Sequence, residues 1–285
     1  MKKQMAPWNR FLSLQAFLQA LRSLHDLRTQ RFPWSQRSRR SPTALADPEW
    51  GSFLQQCPLL AGLPPAETAL LRTMTEAFLH EKSIVGIGLD PTPFQHYWIA
   101  AHACLPTLHL GLQAYRHWQT VLLYPDTFVP EQEWMDEAGI LHQATIAHAG
   151  EAWERGPVIL SWGDIAEDPG IILHEMLHTL DAANGSVNGF PILPARVSRT
   201  QWTEAFTAAY THFCTGVEKA EQEDDLPMDP YAATDPGEFL AVMGEYFFLD
   251  PAQLHSTYPD LYTLFRDYLA LDPLSWVSAG MADTR

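Results

Sequence analysis

Residues 171–181 read IILHEMLHTLD, and within them His174 and His178 enclose Glu175 in an H-E-x-x-H arrangement. The apolar neighbours and the Asn184-Gly185 pair beyond predict a helix from about Pro169 to Ala183. Residues four apart sit about 40° from one another around a helix axis, so His174 and His178 share a face. Two imidazoles placed so can chelate one Zn²⁺. Glu175 stands beside the first of them as a general base toward water, whose pKa zinc lowers from about 15.7 to about 7. The plainer reading is a core helix with two hydrogen-bonded histidines. An apolar setting argues against it, because an unliganded buried pair is costly to desolvate.

Two protein ligands do not complete a catalytic zinc site, which takes three and leaves a fourth position to water. No third histidine follows near Gly185, so the third ligand is expected to be a carboxylate from a later helix. The segment DPGEFLAVMGE, 235–245, offers Glu238 and Glu245, seven apart and nearly on one face. Glu238 also fits a capping box with Asp235 as N-cap and Pro236 at the first helical position, and Glu245 also fits a solvated mid-helix acid. Asp181 shares the face of the two histidines. An acid near a helix C-terminus opposes the macrodipole. Its place therefore suggests an acceptor for a ligand histidine or for a neighbouring backbone group.

The elements that must hold these residues are legible in outline. Ser83–Leu89, Thr120–Tyr124 and Gly156–Trp162 read as strands, the last stopped by Gly163-Asp164. An extended peptide could add along that last strand, which immediately precedes the histidine helix. Helices are expected over Thr68–Leu79, most of Phe94–Tyr115, Trp202–Cys214, Asp235–Leu249 and Pro259–Ala270, with an acidic loop at Glu218–Asp229. Few early strands followed by many helices give an α+β class.

Charge divides the chain. Residues 1–40 hold nine Lys and Arg against the single acid Asp26, a net +8 within a chain of −16, so the remainder carries −24. Residues 1–46 are therefore read as a basic amphipathic arm and linker, and 47–285 as one domain. The arm's apolar stripe from Phe11 to Leu27 fits docking on the acidic body, or a peripheral membrane or partner contact. The acidic body disfavours direct contact with nucleic acid. No signal peptide is expected, because Met1-Lys2-Lys3 leads into mixed residues; no apolar run is long enough to span a membrane, and three scattered cysteines (Cys57, Cys104 and Cys214) suit reduced thiols, so a cytoplasmic place is expected.

HEMLHTLD together with Tyr231-Ala-Ala-Thr-Asp-Pro-Gly-Glu238-Phe resembles the Mlc titration factor A family of bacterial zinc metallopeptidases. Trp98-Ile-Ala-Ala-His-Ala-Cys104, Thr120-Val-Leu-Leu-Tyr-Pro-Asp126, Val158-Ile-Leu-Ser-Trp162 and the stretch from Tyr262 to Pro273 agree with it, so the resemblance covers roughly residues 50–275. It implies a zincin-like domain similar to that of anthrax lethal factor, mostly helical with a small mixed sheet. It further implies His174, His178 and Glu238 as zinc ligands, Glu175 as base and Tyr231 as the group that steadies the oxyanion. With the ligands so assigned, Asp181 and Glu245 are expected behind them. Aminopeptidase-like hydrolysis of short peptides and binding to the glucose repressor Mlc are implied as well. A reading from another class is a regulatory binding protein that sequesters a transcription factor through its acidic body, with peptidase activity minor or vestigial.

Overall fold

The computed structural model describes residues 45–126, 156–222 and 226–276, with the backbone of two short strands between 134 and 142. The amphipathic stripe expected in the basic arm and three acids of the 221–225 run lie outside the described residues. The domain opens with helices α1 (Asp47–Gln55), α2 (Pro58–Ala61) and α3 (Pro65–Glu81), each with a proline in its first two positions. Proline suits that place because its missing N–H would find no helical partner there. Strand β1 (Ser83–Gly86) leads to α4 (Pro93–Cys104). A reciprocal box starts α4: Gln95 N–H donates to Thr92 Oγ1 at 3.2 Å, and Thr92 N–H donates to Gln95 Oε1 at 2.8 Å.

Next come β2 (Thr120–Tyr124), the two-residue strands β3 (Trp134–Met135) and β4 (Leu141–His142), and β5 (Val158–Ser161). β1, β2 and β5 form a parallel sheet with β2 central, while β3 and β4 pair antiparallel in a sheet of their own. β2 and β5 are near-continuous apolar runs, as strands buried on both faces require. β5 is an edge strand by sheet order, yet its four residues are buried, so addition of a peptide along it would require that edge to be uncovered.

The remainder is helical: α5 (Trp162–Glu167), α6 (Gly170–Ala182), α7 (Arg199–Lys219), a 3₁₀ turn at Pro230–Ala233, α8 (Pro236–Leu249), α9 (Pro251–Thr257) and α10 (Pro259–Leu269). The mostly helical α+β class with a small sheet is as expected, but the sheet expected to be mixed is parallel throughout its three strands, the antiparallel pair standing apart. Gly163-Asp164, read as a strand stop, instead lies in the first turn of α5, where Ser161 Oγ accepts from Asp164 N–H. α7 runs several residues past its expected end, so the acidic loop starts later. No described helix is long and apolar enough to cross a membrane.

α6 packs chiefly on α8 and also on α4. Ten of its thirteen residues are buried, so it is a core helix carrying polar groups and not a surface helix with one dry stripe. Gly244 permits the approach of α8: a Cβ there would lie 2.1 Å from Leu177 Cδ1, beside His178. Glu238 and Glu245, one on either side of Gly244 in α8, are thereby brought against the histidines.

A third buried histidine lies on α4. His102 is fully buried, its Nδ1–H donates to the Trp98 carbonyl at 2.8 Å, and its Nε2 has no hydrogen-bond partner among the described residues. Burial pushes its pKa down to about 4, against the Trp98 hydrogen bond, which works to raise it. The unfolded ring titrates near pH 6.5, so acidification protonates the unfolded chain first. The neutral ring's stability contribution is thus complete above pH 6.5 and lost as pH falls toward 4, by about 3 kcal/mol. Urea unfolding at pH 7.5 and 4.5 should show a smaller acid loss in His102→Leu than in the parent. Equal losses would exclude this role.

Candidate metal centre

Three donor atoms from two helices converge. His174 Nε2 lies 3.0 Å from His178 Nε2, and Glu238 Oε2 lies 3.1 and 3.2 Å from these two nitrogens. A tetrahedral cation with bonds of about 2.0–2.1 Å would separate its ligands by about 3.3 Å, so the spacing fits a shared ion. His174 and His178 are buried and Glu238 is half-buried, so the donors are largely desolvated but open on one side. Among the described residues these three form the cluster able to hold a metal ion.

The capping arrangement at α8 bears on Glu238. Asp235 Oδ1 accepts from the N–H groups of Gly237 and Glu238 at 2.7 and 3.0 Å, so Asp235 is the N-cap. The Glu238 carboxylate does not turn back to the cap; it points at the histidines. Burial raises its pKa, but the hydrogen bonds from His174 and His178 outweigh this and hold it well below the usual carboxylate range.

Glu245 stands behind His174, with Oε1 2.5 Å from Nδ1. Burial lowers the His174 pKa, yet Glu238 and Glu245 together raise it to about 10. Burial also pushes Glu245 up, against the pull of His174. In this tight pair the proton belongs on Nδ1, donating to the carboxylate, because that tautomer leaves Nε2 to face Glu238 and His178. Without a cation a second proton would occupy Nε2, so metal uptake would release a proton. Glu245→Ala should weaken zinc affinity 10- to 100-fold, as removal of an orienting partner does. Competition with a chromophoric chelator measures this, and an unchanged affinity would mean that His174 needs no such acceptor.

Glu175 is partly exposed, and its pKa is raised by burial against the opposing pull of His178 and His174. Tyr231 sits on the 3₁₀ turn that Asp229 caps by accepting the Tyr231 N–H at 2.8 Å. Its ring centroid is 6.3 Å from that of His174, and its phenol bonds to Glu238. Burial and the neighbouring Glu238 raise the phenol far above its ordinary pKa, so it remains a donor.

Asp181 takes the second of its two expected roles. Its carboxylate accepts from the N–H groups of Asn188, Gly189 and Phe190 at 2.8, 2.6 and 2.9 Å, fixing the loop after α6. Gly189, at φ 76°, is required there twice over: the conformation disfavours a side chain, and a Cβ would meet the Phe206 ring at 2.3 Å. Sequence reasoning missed Gly189 and Gly244. A glycine in mid-helix beside a ligand segment is the signal that could have exposed Gly244.

An H-E-x-x-H helix joined by a carboxylate from a second helix is the donor arrangement of a metallo-peptidase. A family model described as glucose-regulated metallo-peptidase M90 matches residues 32–269, and the chain belongs to that family. The chain is similar to Mlc titration factor A of Escherichia coli O9:H4 (strain HS), 35% identical over 251 residues that span 86% of this chain and 92% of the relative. Its similarity to Mlc titration factor A of Klebsiella pneumoniae (strain 342) is 36% over 224 residues, 76% of this chain and 84% of the relative.

Proposed function

We propose that this chain is a zinc-dependent peptidase of the cytoplasm, aminopeptidase-like on short peptides. The observation that carries the reading is the convergence of His174 Nε2, His178 Nε2 and Glu238 Oε2 at 3.0–3.2 Å. Two nitrogens and one carboxylate oxygen form a donor set that suits Zn²⁺, and three protein ligands leave a position free. Zinc, when bound, would polarise the scissile carbonyl and acidify water toward a pKa of about 7.

The chain's own groups then divide the remaining work. Glu175 takes the proton of the attacking water and delivers it to the leaving amine. Its raised pKa suits that alternation, because a stronger base accepts a proton more readily. Tyr231 donates its phenolic hydrogen to the oxygen on which negative charge develops. Glu245 holds the His174 ring in one tautomer, and Asp181 holds the loop that follows α6.

A second role rests on a separate observation, the name of the relatives. We propose that the chain also binds a transcriptional repressor such as Mlc, thereby influencing sugar uptake, with the acidic body facing a basic DNA-binding surface. Regulatory binding with vestigial peptidase activity is the rival form of the same idea. The deciding experiment measures zinc per chain and hydrolysis of amino-acyl and peptide substrates before chelation, after it, and after zinc is restored. About one zinc and chelator-reversible hydrolysis support the peptidase. Zinc-independent or absent hydrolysis, with repressor binding retained, would leave the binding role alone.

A further inference from the structure

A cavity of about 670 Å³ opens beside the loop that follows α6. Asn184, Asn188, Phe190 and Ile192 line it from the loop, and Arg199 and Thr203 line it from α7. Arg199 is the one charged side chain among the described lining residues. Its guanidinium carbon stands 4.9 Å from the Phe190 ring centroid. Arg72 pairs with Asp47 and Arg266 with Asp267, but among the described residues Arg199 has no carboxylate partner. Ile192 is 55% exposed at the same cavity, so apolar surface and a cation without a carboxylate partner among the described residues face one space.

The cavity wall is tied to the metal centre on two sides. Asp181, one turn beyond His178, accepts from the N–H groups of residues 188–190. On the other side, Val187 packs on Gly237, where a Cβ would lie 2.4 Å from Val187 Cγ1, and Glu238 is the next residue. Trp202 Nε1–H donates to the Gly189 carbonyl at 2.9 Å, fixing α7 to the same loop. A group bound in the cavity therefore rests on a loop held in register with two of the three metal donors.

We propose that this cavity is a substrate subsite for a peptide carboxylate carried on an apolar residue, with Arg199 as the residue that selects it. The proposal rests on the peptidase reading above. A guanidinium can grip a carboxylate with two parallel hydrogen bonds, while Phe190 and Ile192 cover the attached hydrocarbon. The carboxylate has two sources, the free C-terminus of a short peptide or an acidic side chain.

Binding separates these cases without turnover. The protein is zinc-loaded Glu175→Gln, with and without Arg199→Gln, and calorimetry measures affinity for Ala-Leu as free acid, Ala-Leu amide and Leu-Glu amide, all with free amino termini. The acid should bind about five- to tenfold more tightly than its amide, and Arg199→Gln should abolish that preference without weakening the amide. Arg199→Lys should keep part of it, since charge survives and the fork does not. If the Glu peptide matches the free acid and shares its Arg199 dependence, the subsite takes a carboxylate from either source; if it matches the amide, only the C-terminus serves. Equal binding of acid and amide, a preference that survives Arg199→Gln, or no binding of any probe would overturn the proposal. Zinc-dependent hydrolysis of an amide-capped peptide by the parent, which makes no use of Arg199, reports separately on the peptidase reading.

Discussion

Glu175→Gln is expected to reduce peptide turnover by about a thousandfold while zinc content per chain remains that of the parent. General acid–base groups contribute typically about 10²–10⁴ in rate, and here one carboxylate would serve both to take the proton from water and to hand it to the leaving amine. Glutamine preserves the shape of the side chain but cannot accept a proton at neutral pH. Zinc should stay, because the converging donors are His174, His178 and Glu238 and not Glu175. The substitution also removes a carboxylate whose ionised form burial disfavours, so folding should not suffer. Zinc analysis and thermal unfolding belong beside the rate measurement, since a rate loss accompanied by metal loss would say nothing about proton transfer. Full activity with full zinc would remove Glu175 from the chemistry.

The parts of this domain that could be read in advance are those governed by short-range chemistry. His174 and His178 declare themselves because a spacing of four on a helix is a geometric statement, true before any tertiary contact is known. Asp235-Pro236 marks the start of α8 for the same reason: the cap and the proline act within one turn. The choice between Glu238 and Glu245 could not be settled from spacing, because both lie on nearly one face of α8 and either could reach a neighbouring helix. It depends on how α8 lies on α6, and the close contact of Gly244 with Leu177 sets that crossing. Asp181 posed a similar ambiguity. Its face was readable, whereas its partners are N–H groups seven to nine residues onward in a loop with no periodicity. α5 was missed because Gly163-Asp164 reads locally as a turn, and only the Ser161 hydroxyl against Asp164 N–H shows it to be a helix start. His102 lies in a segment that carries the resemblance, but nothing in the sequence marks it as a buried histidine whose Nε2 has no partner among the described residues.

Glu238→Ala and Asp235→Ala should fail in opposite ways, and the contrast tests the division of labour at the start of α8. The two acids lie three residues apart and fit one capping box on paper. In the folded chain Asp235 alone supplies the cap, accepting from two N–H groups, while the Glu238 carboxylate faces the histidine nitrogens. Asp235→Ala should therefore cost about 1 kcal/mol of stability, the usual loss for an N-cap, and leave nearly one zinc per chain. Glu238→Ala should leave the helix start intact and lower zinc affinity by more than about 100-fold, beyond what an orienting residue such as Glu245 accounts for. Hydrolysis should fall to background with the metal. Chelator competition and urea unfolding of the metal-free proteins measure the two effects separately. Should Glu238→Ala keep its zinc and lose about as much stability as Asp235→Ala, the carboxylate would be part of the cap after all. The third ligand would then have to be sought elsewhere, with Glu245 the first residue to test.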